Sequence, residues 1–440
     1  MQTYFNTLAQ YISDLLQPEE TSTCWLSAED SHFVRFNRSR IRQPGHVRQS
    51  TLSLQLIRGH THARFSMSLS GQLEQDQSLI NDALLYLREQ FSDLPEDPHL
   101  MLPAREENSY TILTANLPSP DVMVQDILEA AQDVDMVGFL MTGAQYRGFA
   151  SSNGQRNWYE TNNVNFDWSL FHSGDKAVKA NYAGVEWDSA RFRQQFQQAI
   201  HQLAILARPP ISIPPGNYRA YLTPTALNEL IMMLNWGGLS EKALRTSHSS
   251  LRKLRHGDIS LHPAVHLTED SSSGLTPAFQ EQGLIKPGQI PLIAAGKLVG
   301  SMVSPRSARE YGIPSNGASD DESANAIRMQ AGNLPMQQAL KELGTGVYIS
   351  NLWYLNFSDR ANCRITGMTR FASFWVENGE IQAPLNVMRF DDSLFKILGD
   401  HLLALTAETE IIMDDRSYGE RHTGGAILPG ALLKELRFVL

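Results

Sequence analysis

Ala207-Arg208-Pro209-Pro210-Ile211-Ser212-Ile213-Pro214-Pro215-Gly216 divides this chain. Proline has no backbone N–H, fixes its own φ and pushes the residue before it into extended conformations, so neither a helix nor a central strand continues through two Pro-Pro pairs this close together. Upstream of the break, helical and strand patterns alternate. Downstream, short strand patterns dominate. The expected fold class is α+β: an N-terminal mixed sheet-and-helix region followed by a β-rich C-terminal domain. The expected units are residues 1–105 (α+β), 106–213 (a middle α+β segment) and 214–440 (β-rich).

Upstream, Met1–Leu16 carries Leu8, Ile12, Leu15 and Leu16 at helical spacing and reads as an amphipathic helix ending near Pro18. Extended runs follow at Ser31–Arg42 and Ser50–Ser68. In the second, Leu52, Leu54 and Leu56 point one way and Ser53, Gln55 and Ile57 the other, the period of a strand, with a turn at Arg58-Gly59-His60. Helices are expected over Gln75–Phe91, Asp121–Asp133 and Ser189–Ala207, and strands over Met136–Tyr146, Asn162–His172 and Ala177–Gly184. Asn153-Gly154 is a hairpin signal. Asp93–Asn108, with three prolines and many charges, reads as a linker or excursion.

Downstream, Tyr218–Thr223 is a strand. Thr223-Pro224 then starts a helix, with threonine as N-cap and proline in the first turn. Leu227, Leu230, Ile231 and Leu234 form its buried face, and Gly237-Gly238 ends it. Strands are expected within Gln289–Val303, Gly346–Phe357, Gly367–Glu377 and Gly379–Pro384, and late helices at Ser393–His401 and Ala431–Leu436.

The 440 residues are 42% hydrophobic and 19% charged, a composition able to build sizeable cores. The net charge of −10 and pI near 5.7 disfavour general binding to nucleic-acid phosphates. Arg35, Arg38, Arg40 and Arg42 form only a local basic run. Two cysteines, Cys24 and Cys363, make neither a disulfide framework nor a four-cysteine zinc site and suit a reducing compartment. With no signal-peptide pattern and no membrane-length apolar run, the expectation is a soluble, cytoplasmic protein without membrane or nucleic-acid partners. Walker A, Gly-x-Gly-x-x-Gly and Gly-x-Ser-x-Gly patterns are absent. His60 and His62 alternate as on one strand face. His262 and His266 stand four apart, followed by Glu269 and Asp270, but Pro263 interrupts any helix between them. Both pairs read more naturally as polar surface than as metal ligands.

The most specific motif is Asn351-Leu352-Trp353-Tyr354-Leu355-Asn356-Phe357-Ser358-Asp359-Arg360. It continues through Thr366-Gly367-Met368-Thr369-Arg370 and Val376-Glu377-Asn378-Gly379-Glu380-Ile381. With Tyr218–Pro224, Ala331-Gly332-Asn333 and Pro384–Ser393, this series resembles the C-terminal core of the TldD/PmbA family. The resemblance covers most of the chain and is specific over roughly its last half.

That resemblance implies zinc peptidases among the family's catalytic members, with a His-Glu-x-x-x-His helix and a cysteine near the C-terminus. Neutral imidazoles and a thiolate hold zinc while leaving a position for water, and a nearby Glu takes the water's proton. Here the motif aligns with Asn228-Glu229-Leu230-Ile231-Met232-Met233. Asn228 and Met233 stand in place of the histidines, and Asp415 falls near the cysteine's place. Only Glu229 survives, as a degenerate base position or as a solvated residue on a helix. The departure matches the PmbA (TldE) branch, which the resemblance pairs with a TldD-type subunit that carries the zinc. The implied role is enclosing and binding unfolded peptides for cleavage or maturation. No cofactor is expected on this chain itself. Tyr354 and Asn356 on the motif strand, and Arg416 and His422 in the loop after Asp415, are candidate peptide contacts. On that strand Trp353 and Leu355 are expected in the core. The alternatives are an independent hydrolase using other residues, such as His262 and His266, and a non-catalytic peptide-binding homodimer. An older association of the family with DNA gyrase gains no support from the charge.

Overall fold

A computed structural model describes residues 1–103, 106–174 and 176–439. The expected boundary at 105/106 falls at residues 104 and 105, outside the described residues. The first half runs α1 (Gln2–Asp14), β1 (Glu20–Asn37), β2 (Arg40–Arg58), β3 (Thr61–Ser68), α2 (Leu73–Gln90), β4 (Ser109–Ile112), α3 (Pro120–Ala130), β5 (Asp135–Ser151), β6 (Arg156–Ser173), β7 (Lys176–Gly184) and α4 (Ser189–Leu206). Its strands form one sheet in the order β3-β2-β1-β5-β6-β4, with β7 also paired to β6. The second half opens with β8 (Gly216–Leu222) and α5 (Pro224–Asn235). It continues with β9 (Leu267–Glu269), β10 (Ile290–Ala294), β11 (Lys297–Leu298), β12 (Ala326–Met329), β13 (Gly346–Asp359), β14 (Arg364–Glu377), β15 (Glu380–Pro384), β16 (Arg389–Ser393), β17 (Leu402–Met413) and β18 (Gly425–Phe438). These strands form a second, larger sheet. The fold is α+β, with a β-rich C-terminal half.

The largest apolar clusters hold it together. Phe5, Leu8 and Ile12 of α1 and Ile80, Leu84 and Leu87 of α2 pack on Leu26, Leu52, Leu54 and Leu56. Met123, Ile127, Phe192 and Phe196 of α3 and α4 pack on Phe166 and Trp168. That cluster also takes in Ala372 and Phe374 of β14, so the two sheets share a core. In the second half, Leu227, Leu230, Ile231 and Leu234 of α5 cover Leu222, Val347 and Ile349. No helix among the described residues is long and apolar enough to cross a membrane.

Several expectations are corrected. The run Ser31–Arg42 is not one strand: β1 ends at Asn37 and reverses through Arg38 and Ser39, both with positive φ (51° and 55°), into β2. Left-handed residues at both turn positions give the turn twist that hairpins favour, and Arg-Ser carries none of the usual Asn-Gly signal for it. The expected helix Ser393–His401 is a single turn, Leu394–Ile397. The expected helix Ala431–Leu436 lies inside β18, where Ala431 pairs with Leu222 on one side and Leu405 on the other. Its Ala-Leu-Leu-Lys-Glu-Leu composition favours helix, but a place between two strands overrides propensity.

On β13, Trp353 is not in the core: it is 53% exposed. Tyr354 has φ of 58° and forms a bulge, so the strand's alternation resets there. Leu352 packs in the core before the bulge and Leu355 packs against it afterwards, while Trp353 and Asn356 face outward.

Candidate functional site

The site is built where α5 and the loop between β17 and β18 meet the first sheet. Thr223 caps α5: its hydroxyl accepts from the Ala226 N–H at 3.2 Å and donates to the Ser350 carbonyl at 2.6 Å. This fixes which face of α5 is free. Asn228 and Glu229 lie off the buried Leu227/Leu230/Ile231/Leu234 stripe and are half-buried. Met233 is in the core and 7% exposed. The Asn228 side-chain oxygen is buried without a hydrogen-bond partner.

Facing Glu229 are residues that the sequence did not single out. Lys179 on β7 pairs with Asp167 on β6 at 3.0 Å. Burial raises the Glu229 carboxyl above the usual range. Lys179 opposes that shift, and Asp415 adds to it. Burial likewise raises Asp167, with Lys179 opposing and Asp415 reinforcing. One ammonium and one exposed carboxylate therefore act on both half-buried carboxyls, so Lys179 and Asp415, far apart in sequence, share Glu229 and Asp167 as neighbours. A charged pair on strands rich in aromatic residues, as in Asn165-Phe166-Asp167-Trp168, was the available signal.

The zinc site that the family resemblance implies was tested on these residues, and they do not fit it. Asn228 offers an amide oxygen, the Met233 thioether is turned into the core, and a lysine ammonium stands among the carboxyls. Neither amide nor thioether is a usual zinc ligand. Both cysteine thiols are buried and pushed up to about 12 by that burial. Among the described residues no group of three or more His, Cys, Asp or Glu is arranged for a metal ion.

The histidine pairs are separate from this site. His62 faces Asp97 at 3.5 Å. The His262 Nδ1 accepts from the Ala264 N–H, and the His266 Nδ1 from the Ala295 N–H. Glu269 accepts from the Asn325 and Ala326 N–H groups, and Asp270 pairs with Arg328.

Beside Glu229, the 414–424 loop locks onto the first sheet. The Arg421 guanidinium is buried, 4% exposed, and donates to Ser31 Oγ at 3.2 Å, to the Gly143 carbonyl at 3.4 Å and to Asn163 Oδ1. Its own carbonyl accepts from Gln145 at 3.0 Å and from Arg147 at 3.1 Å. A Cβ at Gly143 would stand 2.2 Å from the Asp30 carbonyl, so only glycine fits there. Gln49 donates to buried Glu29 at 2.6 Å and to the Gly419 carbonyl at 2.7 Å, and Ser27 donates to Glu420. Burial lowers the Arg421 pKa to about 10, with Glu29 opposing and Arg147 reinforcing; it stays charged at neutral pH. His422 lines a cavity of about 130 Å3 of mixed character, with Gln145, Thr161, Asn163 and Asn165 beside Ile411, Met413 and Ile427. Arg416 folds back on Asp414, its Nε 2.9 Å from the carboxylate. Tyr354 and Asn356 lie apart on the outer face of β13, exposed.

A family model described as the PmbA/TldA metallopeptidase C-terminal domain matches residues 215–439, half of the chain. This chain belongs to the PmbA/TldD family. A curated member, Metalloprotease PmbA of Escherichia coli O157:H7, is 34% identical over 127 residues. That stretch is 28% of this chain and spans only 25% of the relative's length. Among solved structures, TldE from Thermococcus kodakarensis matches with a TM-score of 0.79 at 13% identity, covering 99% of this chain and all of that one. A Thermotoga maritima protein named as a candidate modulator of a DNA gyrase matches with 0.76 at 14% identity, covering 99% and 100%. At such identities the structures show the PmbA/TldD fold alone.

Proposed function

We propose that this PmbA/TldD member is a TldE-like subunit that joins a TldD-type metallopeptidase to enclose and bind unfolded peptides for cleavage or maturation, the zinc being held by the partner. The observation that carries the reading is the makeup of the degenerate site. Glu229 keeps the position of a base, but Asn228, Met233 and Asp415 stand where ligands are expected, and Lys179 supplies a fixed positive charge among the carboxyls. A base needs a metal-bound water within reach, and this donor set does not hold the metal. His422 and its neighbouring cavity, together with Tyr354 and Asn356, are the proposed peptide contacts; Arg416 is committed to Asp414. An extended peptide that pairs through its main chain gains affinity from those bonds and leaves any preference to side-chain contacts.

The test mixes the purified chain with a TldD-type protein and follows complex mass and cleavage of an unfolded polypeptide. A stable complex that cleaves, with neither component cleaving alone at that rate, supports the reading. No complex and unchanged cleavage would remove it.

A further inference from the structure

The outer face of β14 changes character along its length. Ala372 and Phe374 are buried against the first half's α4 and β7 cluster. One step further along the strand, the same face emerges as Arg370, Met368 and Thr366, joined across the hairpin by Trp353 and Asn356. Trp353 is 53% exposed and its neighbour Tyr354 78% exposed. Two bulges set this arrangement: Tyr354 on β13 and Phe371 on β14 both sit at positive φ, 58° and 57°. The Arg370 guanidinium lies 5.7 Å from the Trp353 ring and 5.3 Å from the Phe371 ring.

Charge tells what would cover this face. Arg370 and Arg389 make no ion pair among the described residues, and the Arg389 side chain, also on this face, donates to the Thr366 hydroxyl at 3.0 Å. Asp391, the acidic residue beside them, is already paired with Arg364. On a chain of net charge −10, the face is a cationic and aromatic island. Tryptophan, tyrosine and arginine are the residue types that dominate binding energy at protein interfaces, and a guanidinium held on an aromatic ring is oriented for a carboxylate.

We infer that the Trp353–Tyr354–Arg370 face docks an acidic, extended polypeptide segment, its carboxylates meeting Arg370 and Arg389 and its apolar side chains lying on Trp353 and Tyr354. The inference rests on the reading that this chain binds polypeptide, and narrows it to one face and one substrate chemistry.

The test uses the full chain with two fluorescein-labelled synthetic peptides, one alternating Glu and Leu, the other alternating Gln and Leu, followed by anisotropy. The variants are Trp353→Ala and Arg370→Gln, both on exposed or half-exposed positions, with exposed Tyr110→Ala on β4 as control. The expected result is binding of the Glu peptide at least about tenfold tighter than the Gln peptide, the preference lost in Arg370→Gln. Trp353→Ala should weaken both peptides, and Tyr110→Ala neither. Equal binding of the two peptides, unchanged by the variants, would overturn the inference while leaving peptide handling intact. Binding of neither peptide, with assembly onto a TldD-type partner preserved, would overturn it as well. So would a Trp353→Ala variant that changes only the chain's own oligomeric mass, since that outcome makes the face a contact between copies.

Discussion

Two groups of charges sit at the junction of the two sheets, and they are built differently. Around Arg421 the buried polar groups meet donors or acceptors at hydrogen-bond distance, and the loop that carries it is tied to β1, β5 and β6. Around Lys179 only Asp167 is bonded among the described residues; Glu229 lies in the ammonium's field without such a bond. Dense bonding, with Glu29 Oε2 the one carboxylate oxygen of Glu29 left without a partner, marks the first group as architecture, because a buried guanidinium survives only when it is paired and bonded. The second group keeps hydrogen-bonding capacity unused.

Arg421→Met breaks the comparison from the architectural side. It leaves buried Glu29, 2% exposed, with Arg147 as its remaining nearby cation and unpins the loop. The expected loss is about 3–5 kcal/mol, read by denaturant unfolding. A loss no larger than for a surface substitution would mean that the loop is held by other contacts.

Lys179→Met tests the second group. The Lys179–Asp167 pair is partly exposed, so the direct loss should be about 1 kcal/mol. The clearer readout is titration: without the ammonium, Glu229 and Asp167 both shift further upward, visible by carboxyl NMR. Carboxyl titrations that do not move would separate Lys179 from the site.

Glu229→Gln follows from the sign of its shift. A carboxyl raised in the folded state contributes stability that is present below its unfolded pKa of about 4.3 and lost as pH rises through the folded value. The variant should therefore gain at neutral pH, by roughly 1 kcal/mol or less, and match the parent near pH 4. Glu20 is the opposite case: held at about 2 by Arg88 and Arg58 against the burial that would raise it, it adds stability that is lost as pH falls through that value. A neutral-pH loss in Glu229→Gln would assign the carboxylate a bonded, structural role. Smallest of all, Arg416→Ala removes an exposed pair with Asp414 and should change stability by no more than about 0.5 kcal/mol.

These contrasts were only partly legible in the sequence. Helix α5 was readable because its signals are local: the Thr223 cap, Pro224 and the leucine stripe lie within one stretch. Strand β18 was misread for the complementary reason, since its state is decided by β8 and β17 on its flanks. The outward turn of Trp353 depends on one residue's backbone at Tyr354, which side-chain alternation does not reveal. Glu229 and Asp415 were found through family motif positions. Lys179 and Asp167 were missed because their role arises only when β6 and β7 of one sheet are set against α5 of the other half. Arg421 was passed over as part of a polar loop, and its burial comes from the first sheet closing over it.

The most direct measurement is the metal content of the purified chain by mass spectrometry, alone and after assembly with a TldD-type partner. Little or no zinc on the chain alone, with zinc present once the partner is added, is the expected result. A full equivalent of zinc on this chain alone would contradict the reading of Asn228, Met233 and Lys179 as a site that does not hold the metal.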